Sequence, residues 1–197
     1  KGRLFRNELR LWNVPQRYAL AVEATPPPRA ALLPHIWLSD EEIRQGQRLL
    51  EQLPDKAGTP PIALHPYATH PDKAWKEAYW RQLMELFESR GIPWIVIGRG
   101  NGMEGIPASR NFTNRTSLRE TCALLKSSSL LITGDSGPMH LAGAVGTPVL
   151  ALFGPTTEEW GFFPAGPKDR VLESQLDCRP CTLHGKKHCD RNHACMQ

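Results

Sequence analysis

No stretch of this 197-residue chain is apolar for long enough to cross a bilayer. The longest apolar runs, such as Pro148 to Phe153, fall far short of the roughly 20 residues a spanning helix needs. A secretory signal is absent too: Lys1-Gly2-Arg3-Leu4 brings charge with no apolar core behind it. No Met opens the chain, and the start reads as a cut inside a longer protein. Charge of one sign is scarce. The 24 Lys and Arg against 20 Asp and Glu leave +4, and the cations are spread along the chain. That argues against a nucleic-acid surface and suits a small anionic ligand. Repeats and low-complexity tracts are missing. Cysteine is absent until Cys122, which stands alone in a helical pattern and reads as a small buried apolar residue. The other four, Cys178, Cys181, Cys189 and Cys195, crowd the last twenty residues. A secreted disulfide domain spreads its cysteines through the fold, so these read as a local device in a cytosolic protein. What remains, 40% hydrophobic and 22% charged, is the composition of one globular domain with an appendage.

Residues 1 to 38 are basic at first and then proline-rich. Pro26-Pro27-Pro28 fits neither a helix nor a central strand, so this stretch reads as a linker leading in from something upstream. Ser39 and Glu42 form a capping box, with Ile43, Leu49, Leu50 and Leu53 following at helical spacing. Then strand, loop and helix alternate. Pro61 to His65 is a short apolar strand and residues 66 to 73 a polar loop. Trp75, Tyr79, Leu83, Leu86 and Phe87 mark one face of an amphipathic helix closed by Gly91. Ile92 to Ile97 is a strand ending at Gly98-Arg99-Gly100. Ser117 and Glu120 make a second capping box, before a helix to about Lys126. Leu130 to Thr133 is a strand, Gly134 to Gly137 a tight turn, and Pro138 opens a helix that Gly146 caps. Pro148 to Phe153 is a further strand. Four strands alternating with helices specify an α/β fold with a parallel sheet over residues 39–177, followed by a cysteine-rich tail over 178–197. Ligands of such sheets sit in the loops at the carboxyl ends of the strands.

Those loops hold the chemistry. In Gly134-Asp135-Ser136-Gly137-Pro138-Met139-His140 a strand turns directly into a helix. Its glycines let a ligand approach the backbone, and the positive helix end favours a diphosphate. Asp135 would repel phosphate, so its use is to accept hydrogen bonds from sugar hydroxyls. His140, in the first helical turn, can point at the same space. An Asp that only caps the helix and an ordinary surface His fit the same spacing. In His65-Pro66-Tyr67-Ala68-Thr69-His70-Pro71-Asp72-Lys73-Ala74-Trp75, Thr69 and Lys73 precede a helix at a strand end, where Lys neutralises a phosphate and Thr hydrogen-bonds one. A solvated loop is the alternative. Gly98-Arg99-Gly100-Asn101-Gly102 lacks the third glycine of the dinucleotide fingerprint. Cys178-Arg179-Pro180-Cys181 with Cys189 and Cys195 is compatible with a tetrahedral zinc site, with His184, His188 or His193 as substitute ligands. Reduced thiols or a disulfide closing a flap are the alternatives. All four cysteines follow Asp177, beyond the last ligand loop, so the tail is expected to serve stability more than binding.

Thr133-Gly134-Asp135-Ser136-Gly137-Pro138-Met139-His140-Leu141-Ala142, followed by Gly146-Thr147-Pro148 and Leu152-Phe153-Gly154-Pro155-Thr156, resembles the signature of the lipopolysaccharide heptosyltransferase family, glycosyltransferase family 9. His65-Pro66 with Asp72-Lys73-Ala74-Trp75 is similar to that family's first donor loop, and Thr116-Ser117-Leu118-Arg119-Glu120 to its segment before the signature helix. The resemblance runs from about Arg17 onward. It implies a GT-B enzyme, two Rossmann-like domains facing across a cleft, of which this chain is the C-terminal, donor-binding half. The N-terminal domain, with the acceptor site and the catalytic Asp, has no counterpart here, so the chain alone is expected to be inactive. The implied activity is inverting transfer of heptose from ADP-heptose to the lipopolysaccharide inner core, with no metal required, in a cytoplasmic protein associated with the inner face of the inner membrane. By resemblance Thr69 and Lys73 contact the diphosphate, Asp135, Ser136, Gly137 and His140 hold the sugar and phosphates, and Thr116 lies near the adenine. The sequence departs from the pattern at Ala68, where some members have a second Thr, and after Gly98, where the family's acidic residue has no clear equivalent. Other readings stay open: a nucleotide-binding regulatory module, a glycosyltransferase using another nucleotide sugar, or a metal-dependent nucleic-acid protein built on the tail, which the mild charge disfavours.

Overall fold

The computed structural model describes residues 11–54, 58–181 and 188–197. Reciprocal caps start several of its helices. Asn13 accepts from the Gln16 backbone N–H while the Gln16 side chain accepts from that of Asn13, which opens α1 (Val14–Ala19). Ser39 and Glu42 do the same for α2 (Asp40–Leu50). The described part of the segment before Ser39 is well anchored. The Val14 amide donates to the Gly161 carbonyl at 3.2 Å, Arg17 donates to the carbonyls of Trp12, Glu159 and Trp160, and the Ile36 amide donates to Ala144 at 2.8 Å.

The remaining elements are β1 (Ile62–His65), α3 (Glu77–Ser89), β2 (Trp94–Val96), α4 (Leu118–Lys126), β3 (Leu130–Gly134), α5 (Gly137–Val145), β4 (Val149–Phe153) and β5 (Arg170–Glu173). The strands form one parallel sheet in the order β2-β1-β3-β4-β5. Side chains alternate between its faces. Ala63, Ile95, Leu131 and Val149 enter a core with Leu49, Leu50, Cys122, Leu124, Leu125, Met139 and Val145 from α2, α4 and α5. Leu64, Trp94, Val96 and Ile132 enter a second core on the other face with Trp80, Met84 and Phe87 of α3. The left-handed Gly146, at φ +84°, ends α5.

Two elements differ from the sequence reading. The buried stripe of α3 is Trp80, Met84 and Phe87, not Tyr79, Leu83 and Leu86; Leu86 is 41% exposed. The helix begins at Glu77, after Trp75, and its Trp and Met offered a second apolar stripe one residue out of phase. The sheet also has a fifth strand beyond the four that the sequence pattern predicts. Arg170-Val171-Leu172-Glu173 is a half-exposed edge strand with charged ends, so it lacks the apolar run of its neighbours and is recruited by pairing with Leu150–Phe153.

Helix α2 crosses α4 at a glycine. A Cβ on Gly46 would lie 2.7 Å from the Ala123 backbone carbon, and Glu42 clamps Arg119 at 2.6 Å on the same side. Gly46→Ala is therefore expected to lower the melting temperature, because overpacking costs about 1–3 kcal/mol and outweighs the ~1 kcal/mol helix preference of Ala. A thermal melt in which Gly46→Ala equals or exceeds the wild type would show that the two helices part freely.

Candidate functional site

Strands β1 and β3 pair with His65 opposite Thr133, so their carboxyl ends emerge side by side. His65 is 6% exposed. Its Nδ1 lies 3.1 Å from Thr133 Oγ1 and 3.2 Å from Ser136 Oγ, which is 3.0 Å from Thr133 Oγ1. The Thr133 hydroxyl also donates to the Gly134 carbonyl at 3.1 Å. Burial pulls the His65 pKa down to about 4, so the ring is neutral at pH 7. A neutral imidazole thus braces the turn that carries Asp135. The sequence places His65 at a strand end and in the segment resembling the first donor loop but gives it no role of its own; a polar residue closing an otherwise apolar strand is the signal for one.

Above this brace is a cleft of about 420 Å³. Thr69, Thr116, Ser136 and Gly137 all line it, with His65 and Tyr67. The structure thus brings residues from the loops after β1 and β3 and from the start of α4 to one place. Ser136 is the N-cap of α5 and makes no side-chain cap bond, leaving the positive helix end open to an anion. Thr116 Oγ1 is 2.9 Å from Thr121 Oγ1. The Tyr67 ring rests on Gly98 and Gly100, whose Cβ atoms would fall 2.9 and 2.4 Å from it, and its hydroxyl is 2.7 Å from Thr113 Oγ1. The glycine loop after β2 is therefore a seat for this ring.

Lys73 and Asp135 form an ion pair beside the cleft, Nζ to Oδ2 at 2.5 Å, with both side chains 14% exposed. The Thr156 hydroxyl, from the loop after β4, donates to the same carboxylate oxygen at 2.9 Å. Three strand-end loops are joined at one oxygen. Lys73 and Asp135 were read as separate contacts, one for phosphate and one for hydroxyls; in the structure each neutralises the other. Thr156 lies in the segment resembling the family signature, where the sequence gives it no role. His140 lies at the solvent edge of α5, where crowding by neighbouring atoms lowers its pKa and Asp135 pulls the other way.

The tail is not remote from these loops. His193 Nε2 is 2.8 Å from Asp72 Oδ1, next to Lys73. The Arg179 guanidinium donates to the carbonyls of Gly154, Ser174 and Thr156 and pairs with Glu173 at 2.7 Å. Met196 is buried against Gly154. Position in sequence suggests a tail beyond the ligand loops; because β5 runs parallel to β4, the tail leaves it at the same edge of the sheet as those loops. Cys178, Cys181, Cys189 and Cys195 line one small cavity with Asp72, His188 and His193, and all four thiols are free. His184 lies outside the described residues. Among the described residues no three His, Cys, Asp or Glu side chains are arranged to hold a metal ion, so the zinc expectation finds no ready-made geometry. Among the same residues no helix is long and apolar enough to cross a membrane.

Because folded His65 takes up its proton only near pH 4 and the unfolded chain does so near 6.5, stability is expected to fall as pH drops through that window. The loss is at most ~3 kcal/mol. His140 contributes with the same sign, so the measurement is the difference between wild type and His65→Gln in melts from pH 7 to 4. Parallel profiles for the two proteins would mean that His65 is not held neutral.

Comparison with known proteins fits this geometry. The family model described as glycosyltransferase family 9 (heptosyltransferase) matches residues 13–190. Lipopolysaccharide heptosyltransferase 1 of Pseudomonas aeruginosa is 35% identical over 153 residues, covering 71% of this chain and 40% of that protein. The glycosyl transferase family 9 structure from Veillonella parvula aligns with a TM-score of 0.63 at 25% identity, over 71% of this chain and 42% of that one. The ADP-heptose lipopolysaccharide heptosyltransferase II of E. coli aligns with a TM-score of 0.62 at 24% identity, over 76% and 47%. The chain spans less than half the length of each of these relatives. Its α/β sheet is the Rossmann-like half of a GT-B glycosyltransferase, and the chain belongs to glycosyltransferase family 9, the heptosyltransferases.

Proposed function

We propose that this chain is the donor-binding half of a heptosyltransferase that transfers heptose from ADP-heptose to the lipopolysaccharide inner core. The observation that supports it best is the meeting of Lys73, Asp135 and Thr156 beside an uncapped helix end, next to a cleft large enough for a nucleoside. In this reading Thr116 faces the adenosine, Thr69, Ser136 and Gly137 meet the diphosphate, and Asp135 and His140 lie toward the sugar. An acceptor hydroxyl attacks the anomeric carbon as the bond to the diphosphate oxygen breaks, inverting the centre. Negative charge then grows on the leaving ADP, where Lys73 and the positive end of α5 stabilise it without a metal step. The base that takes the acceptor proton belongs to an N-terminal domain preceding the linker over residues 1–38, with residues 39–177 as the donor domain and 178–197 as its tail. The enzyme works at the cytoplasmic face of the inner membrane, where its acceptor is made.

The ion pair gives the test a sign. Lys73→Ala removes the cation and leaves Asp135 to repel the diphosphate, so ADP affinity should fall roughly ten- to a hundredfold, as for loss of a charge-assisted contact of ~1.5–3 kcal/mol. Asp135→Asn frees Lys73 and should hold or tighten ADP while weakening ADP-heptose. Calorimetry on both variants with both ligands checks this. A Lys73→Ala variant that binds ADP as wild type does would remove the diphosphate from this site. The chain alone should bind ADP and show no transfer; turnover by it would refute the division of labour between domains.

A further inference from the structure

Charge is scarce in the cleft of about 420 Å³. Its lining consists of hydroxyls, glycines, apolar side chains, the neutral His65 and Arg99. Among the described residues, Arg99 is the side chain lining it that carries a full charge at pH 7. Lys73 stands beside the cleft with Asp135 already on its ammonium, so the pair presents little net charge to an entering anion. The end of α5 adds about half a positive charge. A nucleoside diphosphate brings several negative charges, more than that helix end offsets.

Arg99 is uncommitted, but the backbone that carries it is fixed. Its side chain is exposed, and among the described residues it makes no hydrogen bond and no ion pair. The glycines on either side, Gly98 and Gly100, lie under the Tyr67 ring, where a Cβ on either would collide with it. Asn114 clamps the same loop. Its side-chain oxygen accepts from the Gly100 N–H at 3.2 Å, its side-chain amide donates to the Gly100 carbonyl at 2.8 Å, and its backbone N–H donates to the Gly98 carbonyl at 2.9 Å. Asn114 does this at φ 59°, in the left-handed region, which Asn enters more readily than most residues. Gly98 also backs onto the His65 ring, whose Nδ1 lies 3.2 Å from Ser136 Oγ at the start of α5. One imidazole therefore separates the stem of Arg99 from the positive helix end, a span that an extended Arg side chain covers.

We infer, on the reading of this cleft as an ADP-sugar site, that Arg99 is a donor-binding residue that meets the diphosphate and supplies the positive charge that the Lys73–Asp135 pair withholds. A guanidinium presents paired N–H donors that match two phosphate oxygens. A side chain with no protein partner gives up none when it binds, and a stem held in place lowers the ordering cost of the contact. Arg99 thus holds the diphosphate together with Ser136 and Gly137, and Lys73 joins them only by leaving Asp135.

The test titrates the full chain and its Arg99 variants with ADP, adenosine and pyrophosphate, followed by amide NMR, which reads weak ligands as well as tight ones. Arg99→Gln should weaken ADP and pyrophosphate about tenfold each, as for loss of a charge-assisted contact, and leave adenosine within about twofold. Arg99→Lys keeps the charge and should bind ADP at least about threefold tighter than Arg99→Gln. Equal loss of ADP and adenosine would make Arg99 part of the nucleoside wall or of the loop's architecture and overturn the assignment. An Arg99→Gln variant that binds ADP as wild type does would overturn it too, as would an Arg99→Lys variant no better than Arg99→Gln. The donor reading is scored separately. A wild-type chain that binds pyrophosphate through Arg99 but does not bind ADP would sink the nucleotide reading and sustain the anion contact; a chain that binds neither would overturn both.

Discussion

Parallel pairing of β1 with β3, in the register that sets His65 opposite Thr133, is the constraint on which the site depends. It places two loops that are distant in sequence at adjacent strand ends, close enough for Lys73 to reach Asp135. A slip of one residue would turn His65 to the opposite face and leave the Asp135 turn without its brace. Ala63 and Leu131 face one core and Leu64 and Ile132 the other, so the polar His65 and Thr133 at the strand ends are what mark this register.

Polar groups near the strand ends are spent on one another before any ligand arrives. Thr133, Ser136 and His65 form a closed set under the turn, and Lys73, Asp135 and Thr156 form another beside the cleft. Pairing Lys73 with Asp135 spares the fold an uncompensated half-buried charge, at a cost to anion affinity, since an incoming phosphate competes with a carboxylate already in place. The Tyr67 ring walls the cleft, and only glycines at positions 98 and 100 leave room for it.

The tail illustrates how far a local reading reaches. Four cysteines within twenty residues mark a structured appendage, and all four do line one cavity. Nothing in the spacing says that Arg179 will reach back to the carbonyls of Gly154 and Thr156, or that His193 will meet Asp72. Those contacts arise because β5 adds to the sheet edge beside β4 and returns the chain toward the same strand ends, and β5 is the strand with the weakest signal of its own.

Local chemistry was legible from the sequence wherever short-range rules decide it. Both capping boxes, the glycine that ends α5, the apolar strands and the strand-end loops follow from hydrogen-bond needs and side-chain periodicity within a few residues. The strand–loop–helix alternation likewise determined the parallel α/β fold, because short parallel connections require crossover helices. What only the tertiary structure decided are the long-range pairings: which stripe of α3 is buried, Lys73 with Asp135, Thr156 with both, Tyr67 on Gly98 and Gly100, and the tail against the donor loops. Each depends on two segments meeting in space. A sequence names the charge or hydroxyl that can make such a contact, but the partner is chosen by sheet order and register, which no residue carries alone.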